Sequence, residues 1–172
     1  MKKIIFILLL APLFSLGQEK LSLKNVLNIS DKDSFLKQVI ENGYSEGNST
    51  KDKIYYGKGL SKDKTLATDW AEYTLSNGEF YFEQGDLSAA RKRAKDGACY
   101  YDLIVSDIKN QCQHVKVMVH DSKKNGEVNF STYQCSGAKF KGNIGFAQVD
   151  GNGVIQEFPE DWLVFGLNSS NL

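Results

Sequence analysis

Between Tyr100 and Cys135 the hydrophobic pattern changes period once, and the two sides of that change predict a helix followed by a pair of strands. Tyr101, Ile104, Val105 and Ile108 recur at i, i+3, i+4 and i+7, with Cys112 one turn further on the same side. That spacing is one apolar stripe of an amphipathic α-helix. From His114 to His120 the period falls to two. Val115, Val117 and Val119 are expected inward, with His114, Lys116, Met118 and His120 outward. A turn over Ser122-Lys123-Lys124-Asn125-Gly126 leads into a second strand, Val128 to Ser136. There Val128 and Phe130 fall on one face and Tyr133 and Cys135 on the other. Burying both pairs calls for a β-bulge near Ser131 or Thr132.

The N-terminal half carries the same two periods. Ser30 is placed as an N-cap, with Asp31 and Asp33 in the first turn of a helix over residues 31–42. Its stripe is Phe35, Leu36, Val39 and Ile40, and Asn42-Gly43 stops it. Residues 45–50 are polar loop. Lys53 to Lys58 predicts a strand with Ile54 and Tyr56 on one face. The strongest hairpin signal is Asn77-Gly78, between Ala67 to Leu75 and Glu79 to Gln84. A two-residue turn there sets Leu75 opposite Phe80, Tyr73 opposite Phe82 and Ala71 opposite Gln84, an apolar face meant for the core. The other face carries Trp70, Glu72, Thr74, Tyr81 and Glu83, with Glu72 facing Glu83. Leu87 to Lys95 has helical composition, but Asp96-Gly97 interrupts it.

Phe140, Ile144 and Phe146 mark a further strand, Asp150-Gly151-Asn152-Gly153 a turn, and Val154 to Phe158 the last strand. Pro159 breaks it, Trp162 to Phe165 is an apolar cluster, and residues 166–172 are expected to fray. The order of helix, three strands, helix, four strands predicts an α+β fold. Its antiparallel sheet has six to seven strands, with two main helices packed on one face. This element order is similar to β-lactamase-inhibitor-like and TATA-binding-protein-like folds. Tyr133-Gln134-Cys135 resembles the Tyr-x-Cys strand of secreted lysozyme inhibitors, although those are small β-barrels without the two helices.

The first seventeen residues are read apart from the fold. Lys2 and Lys3 precede an apolar run from Ile4 to Phe14, and Ser15-Leu16-Gly17 supplies small residues at a cleavage site. This predicts a signal peptide over residues 1–17, cut before Gln18, and one α+β domain over residues 18–172. The run is far shorter than the roughly twenty residues of a membrane span. The leader resembles those of exported proteins from Gram-negative Bacteroidota-type bacteria, which implies a periplasmic or secreted protein. Without Lys2 and Lys3 the chain has 19 basic and 21 acidic residues. That balance gives no electrostatic case for nucleic acid, and Arg91-Lys92-Arg93 is too short to change it.

Export makes a disulfide expected among Cys99, Cys112 and Cys135, with one thiol left over. If Cys99 and Cys112 bracket one helix, they stand roughly 20 Å apart. A disulfide needs Cα atoms within about 7 Å, so Cys112–Cys135 is the expected bridge and Cys99 the free thiol.

Chemistry is sparse. His114 and His120 on one strand lie roughly 20 Å apart, too far to share an ion. Asp150-Gly151-Asn152-Gly153 opens like a calcium loop, but Val154 and Ile155 occupy its fifth and sixth positions. No nucleophile elbow, phosphate loop or dinucleotide fingerprint occurs. Neither a metal nor a cofactor is expected. The best candidate surface is the outer hairpin face, where Trp70 and Tyr81 stand beside Glu72 and Glu83. Exposed aromatics beside carboxylates suit a protein or glycan partner. The expected function is therefore an exported, non-catalytic binding or inhibitor-like module. The alternative is a glycan hydrolase that uses paired carboxylates.

Overall fold

A computed structural model of the chain describes residues 20–95, 97–122 and 126–158. The expected signal peptide, Pro159, the Trp162–Phe165 cluster and the fraying tail lie outside these residues. The described residues open with a short helix, α1 (Leu23–Leu27), and a longer one, α2 (Lys32–Glu41). Four strands follow: β1 (Ser45–Glu46), β2 (Lys53–Lys58), β3 (Asp69–Thr74) and β4 (Phe80–Gln84). Helices α3 (Leu87–Arg93) and α4 (Tyr100–Gln111) lead to β5 (Gln113–Ser122), β6 (Gly126–Gln134), β7 (Asn143–Val149) and β8 (Asn152–Phe158). All eight strands join one antiparallel sheet in the order β1-β2-β3-β4-β8-β7-β6-β5. The α+β class stands. The expected six to seven strands become eight, because β1 forms inside the stretch read as loop, and α1 and α3 add to the two longer helices.

Both long helices are built as their sequences dictate. Asp31, one residue later than expected, caps α2: its carboxylate accepts from the Ser34 amide and the Ser34 hydroxyl returns to the Asp31 amide. Phe35 and Val39 are fully buried, whereas Ile40, read as part of the stripe, is 59% exposed. In α4 the buried residues are Tyr100, Tyr101, Ile104 and Ile108, with Val105 at the margin of the core. Arg91 of α3 clasps Asp102 in the first turn of α4, where a carboxylate also suits the helix dipole. The Arg91 hydrogen bonds hold the Asp102 carboxyl down at about 2.

The helices cover one face of the sheet, over Phe80, Phe82, Ile144 and Ile155. Phe35 packs against Tyr73 and Phe82 with ring centroids 5.3 and 5.9 Å apart. The Tyr101 ring lies directly on Gly153, where a Cβ would come within 2.5 Å of it, and its hydroxyl donates to the Ala147 carbonyl at 2.8 Å. Only glycine allows that approach. The expected disulfide is present: Cys112 at the end of α4 bonds Cys135 just past β6, and Cys99 is a buried free thiol.

Several expectations about which residue faces where are overturned, each for a local reason. The β3–β4 hairpin does not use a two-residue Asn-Gly turn. The Thr74 amide donates to the Glu79 carbonyl across a four-residue loop, in which Gly78 takes φ +77° and donates to the Thr74 carbonyl. The Leu75 amide is drawn away to the Asp52 carbonyl at 2.7 Å. Pairing therefore slides by two residues: Tyr73 opposes Phe80, Ala71 opposes Phe82 and Asp69 opposes Gln84. A shift of two preserves the faces but leaves Leu75 at 42% exposed and removes the Glu72–Glu83 opposition. The two-residue turn with two positive φ values is instead Asp150-Gly151, at +47° and +79°.

In β5 the valines and their neighbours exchange roles. Val115, Val117 and Val119 are 41–58% exposed and Met118 is buried. The strand is the outer edge of the sheet, and Met118 pairs with Phe130 on the face without helices. The irregularity expected in β6 lies in β5, between His114 and Lys116. It turns His114 toward Tyr133 and His120 toward Phe130, on opposite faces rather than both outward. No bulge is needed in β6, because Val128 and Phe130 enter a second apolar cluster on the face away from the helices. Their companions there are Met118, Ala147, Val154 and Phe158.

Candidate functional site

Alternation in β3 and β4 places Trp70, Glu72, Tyr81 and Glu83 together on the face that no helix covers among the described residues. The cross-strand pairs there are Glu72 with Tyr81 and Trp70 with Glu83. Tyr55 on β2 joins them from the next strand, opposite Glu72. Its ring meets Trp70 edge-on, with centroids 6.5 Å apart and planes at 83°. Gly47, just past β1, lies against both the indole and Tyr55, where a Cβ would stand 3.2 Å from the Trp70 ring. Both Trp70 and Tyr81 are half-buried, so they form walls rather than projecting anchors.

These walls bound an open groove of about 470 Å³, closed at its far side by Asn48, Lys64 and Thr65 from the loops that flank β2. Ser61 and Asp63 shape one of those loops: the Ser61 hydroxyl donates to the Asp63 carboxylate and accepts from the Leu66 amide. Asn48 ties the other loop to it through the Asp63 carbonyl at 2.9 Å. Tyr81 and Glu83 also line two neighbouring hollows that run toward His120 and Gln156. Among the described residues this face thus carries three adjoining hollows that share these two residues.

Both carboxylates are engaged within the protein. Glu83 accepts from the Tyr81 hydroxyl at 2.8 Å and from the Asn152 amide at 2.7 Å. Asn152 is itself fixed, because its carbonyl oxygen accepts from the Asp86 amide at 2.8 Å. Glu72 is paired with Lys53. Burial, reinforced by the Glu83 charge, pushes the Tyr81 phenol far above its ordinary range, so it remains a donor. The hydrogen bond that Lys53 donates to Glu72 raises the lysine and keeps it charged.

The four residues named from sequence do converge, in a different pairing. Sequence reasoning missed Tyr55, Lys53 and Asn152. Tyr55 was within reach, since it alternates with Ile54 and Tyr56 and so had to face away from the core. Asn152 was not, because its contact with Glu83 spans strands distant in sequence. Among the described residues no group of three or more His, Cys, Asp or Glu could hold a metal ion. Among them, too, no helix is long and apolar enough to cross a membrane. No family model, curated protein or solved structure matches this chain.

Proposed function

We propose that this protein is an exported, non-catalytic binding module of the bacterial cell envelope or medium, taking a protein or glycan partner in the groove between Trp70, Tyr55 and Tyr81. The carrying observation is the arrangement of that groove: aromatic walls held by neighbouring strands and loops, with polar groups at the rim. Rigid amphipathic rings contribute large contact area at low entropic cost, which suits recognition. The leader pattern supports export, and the Cys112–Cys135 bridge is compatible with an oxidising compartment.

The engagement of both carboxylates favours binding over hydrolysis. A retaining or inverting glycosidase needs one carboxyl group free to donate a proton and another free to attack or to activate water. Here Glu83 holds Tyr81 and Asn152 in place, and Glu72 holds Lys53. The test is capture from the native envelope fraction and from a glycan array, run in parallel with the mature protein and with Trp70→Ala. A partner or glycan retained by the first and lost by the second supports the reading. Equal retention by both proteins, or turnover of a glycan that Glu72→Gln abolishes, overturns it.

A further inference from the structure

A separate hollow of about 380 Å³ opens on the helix-covered side, where β2 and β3 meet α3 and the first turn of α4. Lys58 and Asp69 are directly opposed across these two strands and both line it. Asp69 is only 7% exposed, yet its carboxylate receives just two long hydrogen bonds from neutral donors. These come from Thr68 at 3.2 Å and Gln84 at 3.3 Å. Among the described residues no cation closes an ion pair with it. The Lys58 ammonium rests on two aromatic faces, 4.6 Å from the Tyr44 centroid and 5.8 Å from that of Tyr100. The hydroxyls of these two tyrosines lie side by side in the interior, and neither completes a well-formed hydrogen bond. Burial drives Lys58 down and Asp69 up, so each is pushed toward its neutral form.

A buried carboxylate and a half-buried ammonium that face one cavity without pairing carry an uncompensated desolvation cost. A third body bridging them would offset it. Arg93 from α3 lines the same hollow and adds a guanidinium donor for an anion beside the Lys58 ammonium. We infer that this hollow binds a small carboxylate with an adjacent hydroxyl or amino group: the carboxylate on Lys58 and Arg93, and the neighbouring donor on Asp69. The site shares no residue with the Trp70 groove, so it stands or falls independently of the binding function proposed above.

The experiment is calorimetric titration of the mature protein with serine, lactate, acetate and inorganic phosphate. Serine or lactate should bind saturably, and acetate, which lacks the donor for Asp69, should bind at least about tenfold more weakly. Preference between serine and lactate identifies the donor as amino or hydroxyl. Lys58→Met should abolish the heat of binding. Arg93 is exposed, so Arg93→Ala leaves the fold intact and should weaken binding several-fold, which keeps the test decisive should Lys58→Met fail to fold. The inference is overturned if neither serine nor lactate binds below about 10 mM, if acetate or phosphate binds as well as they do, or if Arg93→Ala binds like the parent protein.

Discussion

The two faces of this sheet draw on the same alternating strands and come to different ends. On the helix-covered face the rows of Phe80, Phe82, Ile144 and Ile155 meet Phe35, Ile104 and Ile108, and these side chains are sealed. On the opposite face the strands β5 to β8 close over a small cluster centred on Phe130 and Phe158, while β2 to β4 present Tyr55, Trp70 and Tyr81 to an open groove. Composition does not separate the two, since each face is rich in aromatic residues. Coverage does: among the described residues four helices pack on one side, and the other is left to side chains that must shield themselves. Rings supported by hydrogen-bonded carboxylates are one way to leave such a face stable and still available to a partner.

The largest effect that would sharpen this contrast belongs to the sealed face. Phe82→Ala should destabilise the protein by about 3–5 kcal/mol in urea unfolding, because the helices restrict collapse around the missing ring. A loss under about 1 kcal/mol would mean that the helix face is not the principal core. Replacing Cys112 and Cys135 together by serine should cost about 3 kcal/mol, since the bridge closes a loop between residues 23 apart in sequence. Non-reducing peptide mapping should link these two cysteines and leave Cys99 free.

A pH series offers a subtler probe of the same face. Glu157 is 4% exposed, and burial, with a smaller contribution from the Glu79 charge, raises its carboxyl to about 8 from 4.5. The folded protein therefore keeps this proton where the unfolded chain has lost it. That contribution is full below pH 4.5, declines as pH rises toward 8 and changes no further above it. Glu157→Gln should remove the decline, making the variant the more stable protein at pH 8.5 and nearly equal to the parent at pH 4. Identical pH profiles for the two would place Glu157 in a more solvated setting than its burial indicates.

On the open face stability should respond less and binding more. Trp70→Ala should cost roughly 1–2 kcal/mol, with the fold retained, because the indole is only half-buried against Tyr55 and Gly47. Glu72→Gln should be the mildest change of all, since its pair with Lys53 lies near the surface and such pairs contribute little.

What could be foreseen from sequence divides between local periodicity and contacts that only the tertiary fold makes. The disulfide and, apart from the exposed Ile40, the helix stripes followed from spacing alone, because a 3.6-residue period and a helix length are local quantities. The valines of β5 and the pairing of the hairpin did not. Val117 and Met118 alternate equally well in either sense, and the choice is made by Phe130 on the neighbouring strand and by the place of β5 at the edge of the sheet. Asn77-Gly78 carries the stronger turn signal, yet the Asp52 carbonyl captures the Leu75 amide and lengthens the loop. The four groove residues were legible because a register error of two leaves faces unchanged. Their actual partners, Asn152 above all, come from strands that only the tertiary fold brings alongside.

The claim that the uncovered face receives the partner is tested most directly by the indole N–H resonance of Trp70 in a 15N-labelled protein titrated with the partner captured from the native envelope. The account predicts that this signal shifts or broadens in step with occupancy, while the amides of α2 and α4 stay in place. An unmoved Trp70 indole at saturation, with shifts gathered on the helices instead, would contradict it.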